Sequence, residues 1–108
     1  MPPIEILTSN QLDQILTQPV VIIFKYSSNC TTSRNKEQEI RNSTFKFPIY
    51  TINVITNKTL STEISTRLNT AHQTPQILIV QNGKVIYQVS HAGIMPVMIN
   101  QFLQNFSN

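Results

Sequence analysis

The sequence predicts one α/β domain over residues 1–108, in which helices cover both faces of a central mixed β-sheet. Residues 20–24 are apolar and mostly β-branched, which is typical of a strand buried on both faces. Strand-like and helix-like patterns then alternate along the chain. Asn82-Gly83 separates two apolar segments, residues 76–81 and 84–89. That dipeptide is the strongest short-range signal for a β-hairpin, because both central positions of a type I′ turn need a positive φ.

The composition and charge argue against several classes of protein. The net charge of +3 is dispersed along the chain, without the clustered basic surface of a nucleic-acid-binding protein. We expect no signal peptide, and no apolar run approaches the ~20 residues that cross a bilayer. The one cysteine cannot form an internal disulfide. We therefore expect a cytoplasmic protein that binds neither nucleic acid nor membrane.

The first part of the chain carries two strand signals separated by a short helix. Residues 4–7 suit an edge strand. Thr8 is a suitable N-cap for the helix, Gln11 is placed to complete a capping box, and Pro19 ends the segment. The strand Val20–Tyr26 follows, and its continuous apolar pattern places it at the centre of the predicted sheet.

The second helix is predicted to begin directly after this central strand. Asn29 is a favourable N-cap, which would place Cys30 in the first turn. Over residues 31–44 the only large apolar residue is Ile40, so the amphipathic pattern of this helix is weak. Cys30 thus stands where a central strand turns into a helix, and open α/β sheets place their chemistry at such positions.

The remaining segments complete the alternation of strands and helices. Residues 48–54 alternate as a strand does, and a third helix is capped by Asn57 and ended by Asn69 in a left-handed conformation. After the hairpin, Pro96 opens a last helix. The predicted order is therefore β-α-β-α-β-α-β-β-α.

This order is that of the thioredoxin-like fold. In that layout a cis-proline at the start of the first hairpin strand faces the cysteine loop. Thr74-Pro75 stands at this position, and proline is tolerated there because its missing N–H need not break the ladder. We therefore expect a cis Thr74–Pro75 bond. The expectation comes from the layout, since only a small minority of X–Pro bonds are cis.

Three blocks of the sequence resemble one family. Residues 24–33 are similar to the FKHS-x-x-CP-x-S stretch of the YtxJ-type monothiol bacilliredoxins, and residues 72–85 to their H-x-SPQ-x-x-x-x-x-NGKV stretch. Ser90-His91 resembles the SH pair that closes their last strand. The resemblance implies a thioredoxin fold, a cytoplasmic location and the removal of bacillithiol from S-thiolated proteins. Tyr26 and Thr31 depart from the family, which often has His and Pro at these positions.

Cys30 is the candidate nucleophile. Thiol–disulfide exchange needs a thiolate, and the N–H groups and dipole of a helix N-terminus favour that anion. Lys25 and Arg34 are close in sequence and would add to the effect. Ser33 gives Cys-x-x-Ser where a dithiol enzyme has Cys-x-x-Cys, so the protein cannot resolve its own mixed disulfide. Two alternatives stay open: a buried, inert cysteine, and a Ser33 that lies on the helix surface instead of bonding the sulfur.

Other polar residues are candidates for support or ligand binding. His91 should end the last strand beside the cysteine loop, where it would move protons or contact ligand, and His72 precedes the proline loop. Each is equally well explained as an exposed loop histidine without a role. Cys30, His72 and His91 lack zinc-ligand spacing, so we expect no metal. The Thr74 backbone would pair with a bound thiol, and Tyr26 would either pack over that ligand or finish the strand.

The predicted site thus has one nucleophile and two groups of neighbours. The catalytic residue is Cys30. Active-site support is expected from Lys25, Tyr26, Asn29, Thr31, Ser33 and His91. Ligand binding is expected from Thr74, Pro75, Arg34 and His72.

Three functions are compatible with these residues. In the first, Cys30 takes bacillithiol from an S-bacillithiolated protein, and an outside thiol or reductase recycles the enzyme. Bacillithiol is then a substrate and not a cofactor; its malate carboxylates would meet Lys25, Arg34 or Lys36, and the enzyme would be a monomer. The second function is an iron–sulfur carrier like the monothiol glutaredoxins, although Thr31 and Thr32 replace their Gly and Phe. The third is a non-catalytic adaptor with an unreactive Cys30.

Overall fold

The computed structural model describes residues 3–106 and has the predicted order of elements. The elements are β1 (Ile4–Glu5), α1 (Ser9–Ile15), β2 (Val20–Tyr26), α2 (Thr31–Arg41), β3 (Ile49–Asn53), α3 (Lys58–Leu68), β4 (Gln76–Gln81), β5 (Lys84–Ser90), a short 3₁₀-helix (His91–Gly93) and α4 (Pro96–Leu103). The predicted α/β fold with a mixed sheet is confirmed.

The five strands form one sheet in the order β1-β3-β2-β4-β5. β1, β3 and β2 are mutually parallel, whereas β4 and β5 are antiparallel to their neighbours. β2 lies at the centre, with Phe24 opposite Thr51 of β3 on one side and Ile77 of β4 on the other. Every residue of β2 is buried, as the apolar run over residues 20–24 predicts for most of the strand, and the burial extends to Lys25.

Alternation along β2 divides the core into two layers, because successive side chains of a strand point to opposite faces. Phe24 and Tyr26 pack with Ile40 of α2 on one face. Ile23 packs with Ile64 of α3 on the other face. The same alternation places Lys25 on the α3 face, with Ile23, and away from the face that α2 covers.

The local signals that end helices and turn strands are confirmed. Thr8 and Gln11 form the expected capping box. The Asn57 side chain accepts a hydrogen bond from the Leu60 N–H, and Asn69 ends α3 in the left-handed region at φ 53°. At the hairpin, Asn82-Gly83 has φ values of 51° and 80°, which explains why this dipeptide is needed there.

The ends of some elements differ from the predictions. The edge strand is shorter than residues 4–7, and α2 ends at Arg41, three residues before residue 44. Asn29 is not the N-cap of α2; that position belongs to Cys30. The Asn29 Oδ1 instead accepts a hydrogen bond from the Ser27 hydroxyl at 2.7 Å, so its capping oxygen is already engaged.

The Thr74–Pro75 peptide bond is cis, as the layout predicts. It lies directly before β4 and therefore at the same edge of the sheet as the end of β2, because these two strands are antiparallel neighbours and Lys25 pairs with Gln76. Within residues 3–106, no helix is both long and apolar enough to cross a membrane.

Candidate active site

Cys30 lies at the junction between β2 and α2. The turn is closed by a hydrogen bond from the Cys30 N–H to the Ser27 carbonyl at 3.2 Å. The Cys30 carbonyl accepts the first hydrogen bond of the helix, from the Arg34 N–H at 3.0 Å. The Cys30 side chain is half-buried and the residue is extended, with φ −116° and ψ 126°. The thiol is thus partly open to solvent, which contradicts the interpretation of Cys30 as a buried cysteine.

The surroundings of Cys30 lower the pKa of its thiol. The largest cause is the Ser33 backbone N–H, which faces the sulfur and stabilises the thiolate. Partial desolvation opposes this, while the Thr32 N–H, the Ser33 hydroxyl and the Arg34 charge reinforce it. These are the free N–H groups of a helix start, which ordinarily lack an acceptor. The N-cap position of Cys30 therefore favours its reactive form.

Ser33 is fully buried and is not a helix-surface residue. Its hydroxyl makes no hydrogen bond of normal geometry to the other residues of the described chain. It is nevertheless close enough to Cys30 to help lower the pKa of the thiol. A buried hydroxyl without a regular partner is uncommon. Its burial behind the sulfur favours the hypothesis that Ser33 supports the thiolate.

Lys25 does not act on Cys30 in the way that its sequence position suggests. Its Nζ donates hydrogen bonds to the Ser65 hydroxyl at 2.8 Å and to the Ser61 carbonyl at 3.3 Å, both on α3. The side chain is fully buried, and burial lowers the pKa of Lys25 to about 8. Arg34, and not Lys25, is the cation that lowers the pKa of Cys30.

Tyr26 belongs to the core. It is 7% exposed and stacks on Phe24 with ring centroids 5.7 Å apart. Burial, followed by the charges of Glu5 and Glu37, raises the pKa of its phenol. Of the two interpretations of Tyr26, the structure supports the one in which it finishes the strand.

His91 connects the last strand to the proline loop. Its N–H donates to the Pro75 carbonyl at 2.9 Å, and its Nε2 lies 3.1 Å from the Gln73 Oε1. The residue is exposed, with φ 56°, and the 3₁₀-helix that it begins packs against α2. His91 thus lies at the same end of the sheet as Cys30, as predicted.

Two glutamines outside the predicted site fix the proline loop. The Gln76 side chain is buried, and its Nε2 donates to the Ala71 carbonyl at 3.1 Å. Its Oε1 accepts from the Gln73 N–H at 3.4 Å. The available signal was a polar residue at the start of β4, directly before an apolar run, since a buried amide must find partners.

The remaining candidates lie around this centre. His72 Nδ1 is 3.4 Å from the Ser61 hydroxyl, and desolvation followed by the Lys25 charge lowers the pKa of His72. Thr74 is half-buried beside the cis bond.

Within residues 3–106, no three His, Cys, Asp or Glu side chains gather in a way that would hold a metal ion. The side chains that line the solvent side of the loop are those of Asn29, Thr31 and Arg34.

A family model supplies the deciding comparison. Residues 4–99 match the model of the monothiol bacilliredoxin BrxC. The chain belongs to this family. The bacilliredoxin resemblance of the three sequence blocks is thereby confirmed, and Cys30 is the only cysteine of the chain.

Solved structures confirm the fold of this bacilliredoxin family member. A putative oxidoreductase with a thioredoxin fold is similar with a TM-score of 0.82 at 23% identity, covering 92% of this chain and 91% of that one. A mutant thioredoxin from Halobacterium salinarum NRC-1 gives 0.78 at 14% identity, with 99% and 92% covered. A thioredoxin from Trypanosoma brucei brucei gives 0.75 at 15% identity, with 94% and 88% covered. The thioredoxin-like fold is therefore shown, and the family suggests thiol oxidoreductase chemistry.

Proposed function

We propose that this protein is a monothiol thiol–disulfide oxidoreductase that removes bacillithiol from S-bacillithiolated proteins. The observation that carries the proposal is the state of Cys30. It is the only thiol in a member of the monothiol bacilliredoxin family, it is partly open to solvent, and helix N–H groups lower its pKa. A lone thiol kept reduced suits the cytoplasm, where we propose that the protein acts as a monomer.

The reaction is an exchange of one disulfide for another. The Cys30 thiolate attacks the bacillithiol sulfur of the mixed disulfide, a new S–S bond forms between Cys30 and bacillithiol, and the substrate cysteine leaves as a thiolate. The attacked disulfide bond breaks in the same step, so no net oxidation or reduction occurs. Since the chain has no second cysteine, an external thiol or reductase must then attack the bacillithiol sulfur of the adduct. This releases the Cys30 thiolate and leaves bacillithiol in a new disulfide with the external thiol.

Residues around Cys30 have distinct tasks in this exchange. The Ser33 and Thr32 N–H groups hold the thiolate before attack and stabilise sulfur charge as it develops. The Pro75 loop, tied to His91, offers the Thr74 backbone to the extended cysteinyl part of the bound thiol. The exposed His91 is placed to exchange protons with the leaving thiolate.

Intact mass after incubation with a bacillithiolated protein tests the proposal. The wild-type chain should gain one bacillithiol while the substrate thiol is restored. Cys30→Ser should gain nothing and have no de-thiolating activity, because no other sulfur in the chain carries a thiol. Ser33→Ala should retain most of the activity, since a hydroxyl cannot resolve a disulfide. A folded wild-type chain that never acquires the adduct would refute the catalytic proposal in favour of an adaptor role.

A further inference from the structure

Lys25 is a buried cation that has no counter-ion among residues 3–106. Its two partners, the Ser65 hydroxyl and the Ser61 carbonyl, carry no net charge. The ion pairs of residues 3–106 all involve other cations. A buried ammonium that lacks an opposite charge is unfavourable, because desolvation is then only partly offset by hydrogen bonds. The fold therefore carries an uncompensated positive charge on the α3 side of the sheet.

A pocket of about 240 Å³ lies next to this charge. Ser61 connects the two: its carbonyl accepts from Lys25, while its hydroxyl lies 3.4 Å from His72 Nδ1 and the residue lines the pocket. The titratable side chains of the lining are basic, Lys58 and His72, and none is acidic. We call this the cationic pocket; its lining residues are Val54, Ile55, Lys58, Ser61, Thr62 and His72.

The charges around the cationic pocket influence one another. The Lys25 charge lowers the pKa of His72, after the larger effect of desolvation. Lys58 is exposed at the first position of α3, so its ammonium is free to turn toward a ligand. A carboxylate in the pocket would be attracted by Lys58 and by the buried Lys25 charge behind Ser61.

The cationic pocket lies at the cysteine end of the sheet. The N–H of Val54, in its lining, donates to the Tyr26 carbonyl at 2.8 Å, at the end of the strand that leads to Cys30. His72, on its other side, stands two residues before Thr74. A small ligand joined to Cys30 and paired with the Thr74 backbone would therefore lie at the same end of the sheet as this pocket.

We propose that the cationic pocket binds a carboxylate-bearing end of the small thiol that Cys30 exchanges. Its volume is below the ~300–1,000 Å³ of pockets that enclose whole drug-sized ligands, so it holds a fragment of the thiol and leaves the sulfur free to reach Cys30. This inference rests on the proposed function, and it replaces Lys36 and Arg34 by Lys58 and Lys25 as the main cations that recognise the thiol.

Succinate, a small dicarboxylate without sulfur, probes the cationic pocket independently of the chemistry. The measurement uses the Cys30→Ser protein at neutral pH and follows the NMR signals of both histidine rings. His72 lines the pocket, and His91 lies outside it. Succinate should shift the His72 signals in a saturable way and leave those of His91 unchanged, and neutral succinamide should shift neither. Lys58→Met and Lys25→Met should each weaken binding by roughly tenfold, equivalent to about 1.4 kcal/mol. Lys84→Met, at the far end of the hairpin, should bind as the parent does.

An activity measurement then connects the pocket to the exchange reaction. Lys58→Met should raise KM for a bacillithiolated substrate roughly tenfold and leave KM unchanged for the same protein carrying β-mercaptoethanol, which has no carboxylate. Equal succinate binding by Lys58→Met and the parent, or equal KM values with bacillithiol, would overturn the inference. Failure of Cys30 to react with either adduct would instead refute the proposed function, because succinate binding does not depend on the thiol.

Discussion

Lys25 and Cys30 stand five positions apart, and each has a pKa below its ordinary value, but for opposite reasons. Burial disfavours the charged form of Lys25, whereas N–H donors at a helix start favour the charged form of Cys30. Lys25 projects to the α3 face of the sheet, and Cys30 begins α2 on the other side. Closeness in sequence therefore does not make the lysine a partner of the thiol.

The two pKa shifts also have different consequences: that of Lys25 concerns the stability of the fold, and that of Cys30 concerns the reactivity of the thiol. An ionised Lys25 destabilises the folded state, and an anion bound in the cationic pocket would reduce this destabilisation. An ionised Cys30 is stabilised by backbone groups that the helix supplies in any case. Three substitutions test this contrast, in decreasing order of expected effect.

The largest effect is expected from Lys25→Met. The methionine removes the buried charge and keeps most of the side-chain volume, so the free energy of unfolding at pH 7 should rise by about 1–2 kcal/mol, since nearby water already screens part of the penalty. Because folding lowers the Lys25 pKa from 10.5 to about 8, the penalty is fully present below pH 8 and disappears as the pH approaches 10.5. Urea unfolding at pH 7 and pH 10 measures the gain at each pH.

The gain should therefore be smaller at pH 10 than at pH 7, and Lys84→Met should show neither a gain nor a pH dependence. A Lys25→Met protein that is less stable than wild type at both pH values would show that the ammonium, through Ser61 and Ser65, stabilises the fold. That result would contradict the expectation that the charge on Lys25 destabilises the fold.

Ser33→Ala should have a smaller effect, confined to the thiol. Removing the hydroxyl should raise the pKa of Cys30, because one of the groups that favour the thiolate is lost while the Ser33 and Thr32 N–H groups remain. Thiolate absorbance followed against pH measures it, and the wild-type midpoint itself should lie below the ordinary thiol value of about 8.5. Ser28→Ala, in the exposed part of the loop, is the matched control. An unchanged midpoint in Ser33→Ala would assign Ser33 a purely structural role.

Arg34→Gln should have the smallest effect. The Arg34 charge is the weakest of the causes that lower the pKa of Cys30, and its side chain is exposed. The pKa of Cys30 should rise slightly, and the rise should shrink as salt is added, since the Debye length is already about 8 Å at physiological ionic strength. Arg41→Gln, at the other end of α2, serves as control. A large, salt-independent rise would mean that Arg34, and not the helix N–H groups, controls the thiol.

Much of the fold was predictable because its signals are local. Thr8 with Gln11, Asn57, Asn69 and Asn82-Gly83 act through their own backbone neighbours, and the structure confirms each of them. The N-cap of α2 was predicted wrongly for a physical reason. Asn is the better cap by intrinsic preference, but here its oxygen is engaged by Ser27, and Cys30 takes the position without a side-chain cap bond.

The cysteine was predictable as the nucleophile, but its neighbours were only partly so. Sequence distance made Lys25 a helper of Cys30, whereas the alternation of side chains along β2 sends it to the opposite face. The same alternation, followed to the end of β2, predicts the correct face for Lys25. Gln73, Lys58 and Ser61 could not have been found in the same way, because the loop and helix that carry them meet β2 only in the folded chain.

The helix that carries Cys30 has apolar packing at one end only. Within α2 the buried residues are Ser33 and Ile40, and the apolar one lies ten residues after Cys30, or about 15 Å along the axis. The first turn is thus retained by backbone hydrogen bonds more than by apolar packing, and such turns open locally at low energy. We therefore expect its amides to exchange with solvent hydrogen faster than those of β2. A bulky protein substrate that presses against Cys30 during the exchange would load this turn, which can yield while the sheet keeps its shape.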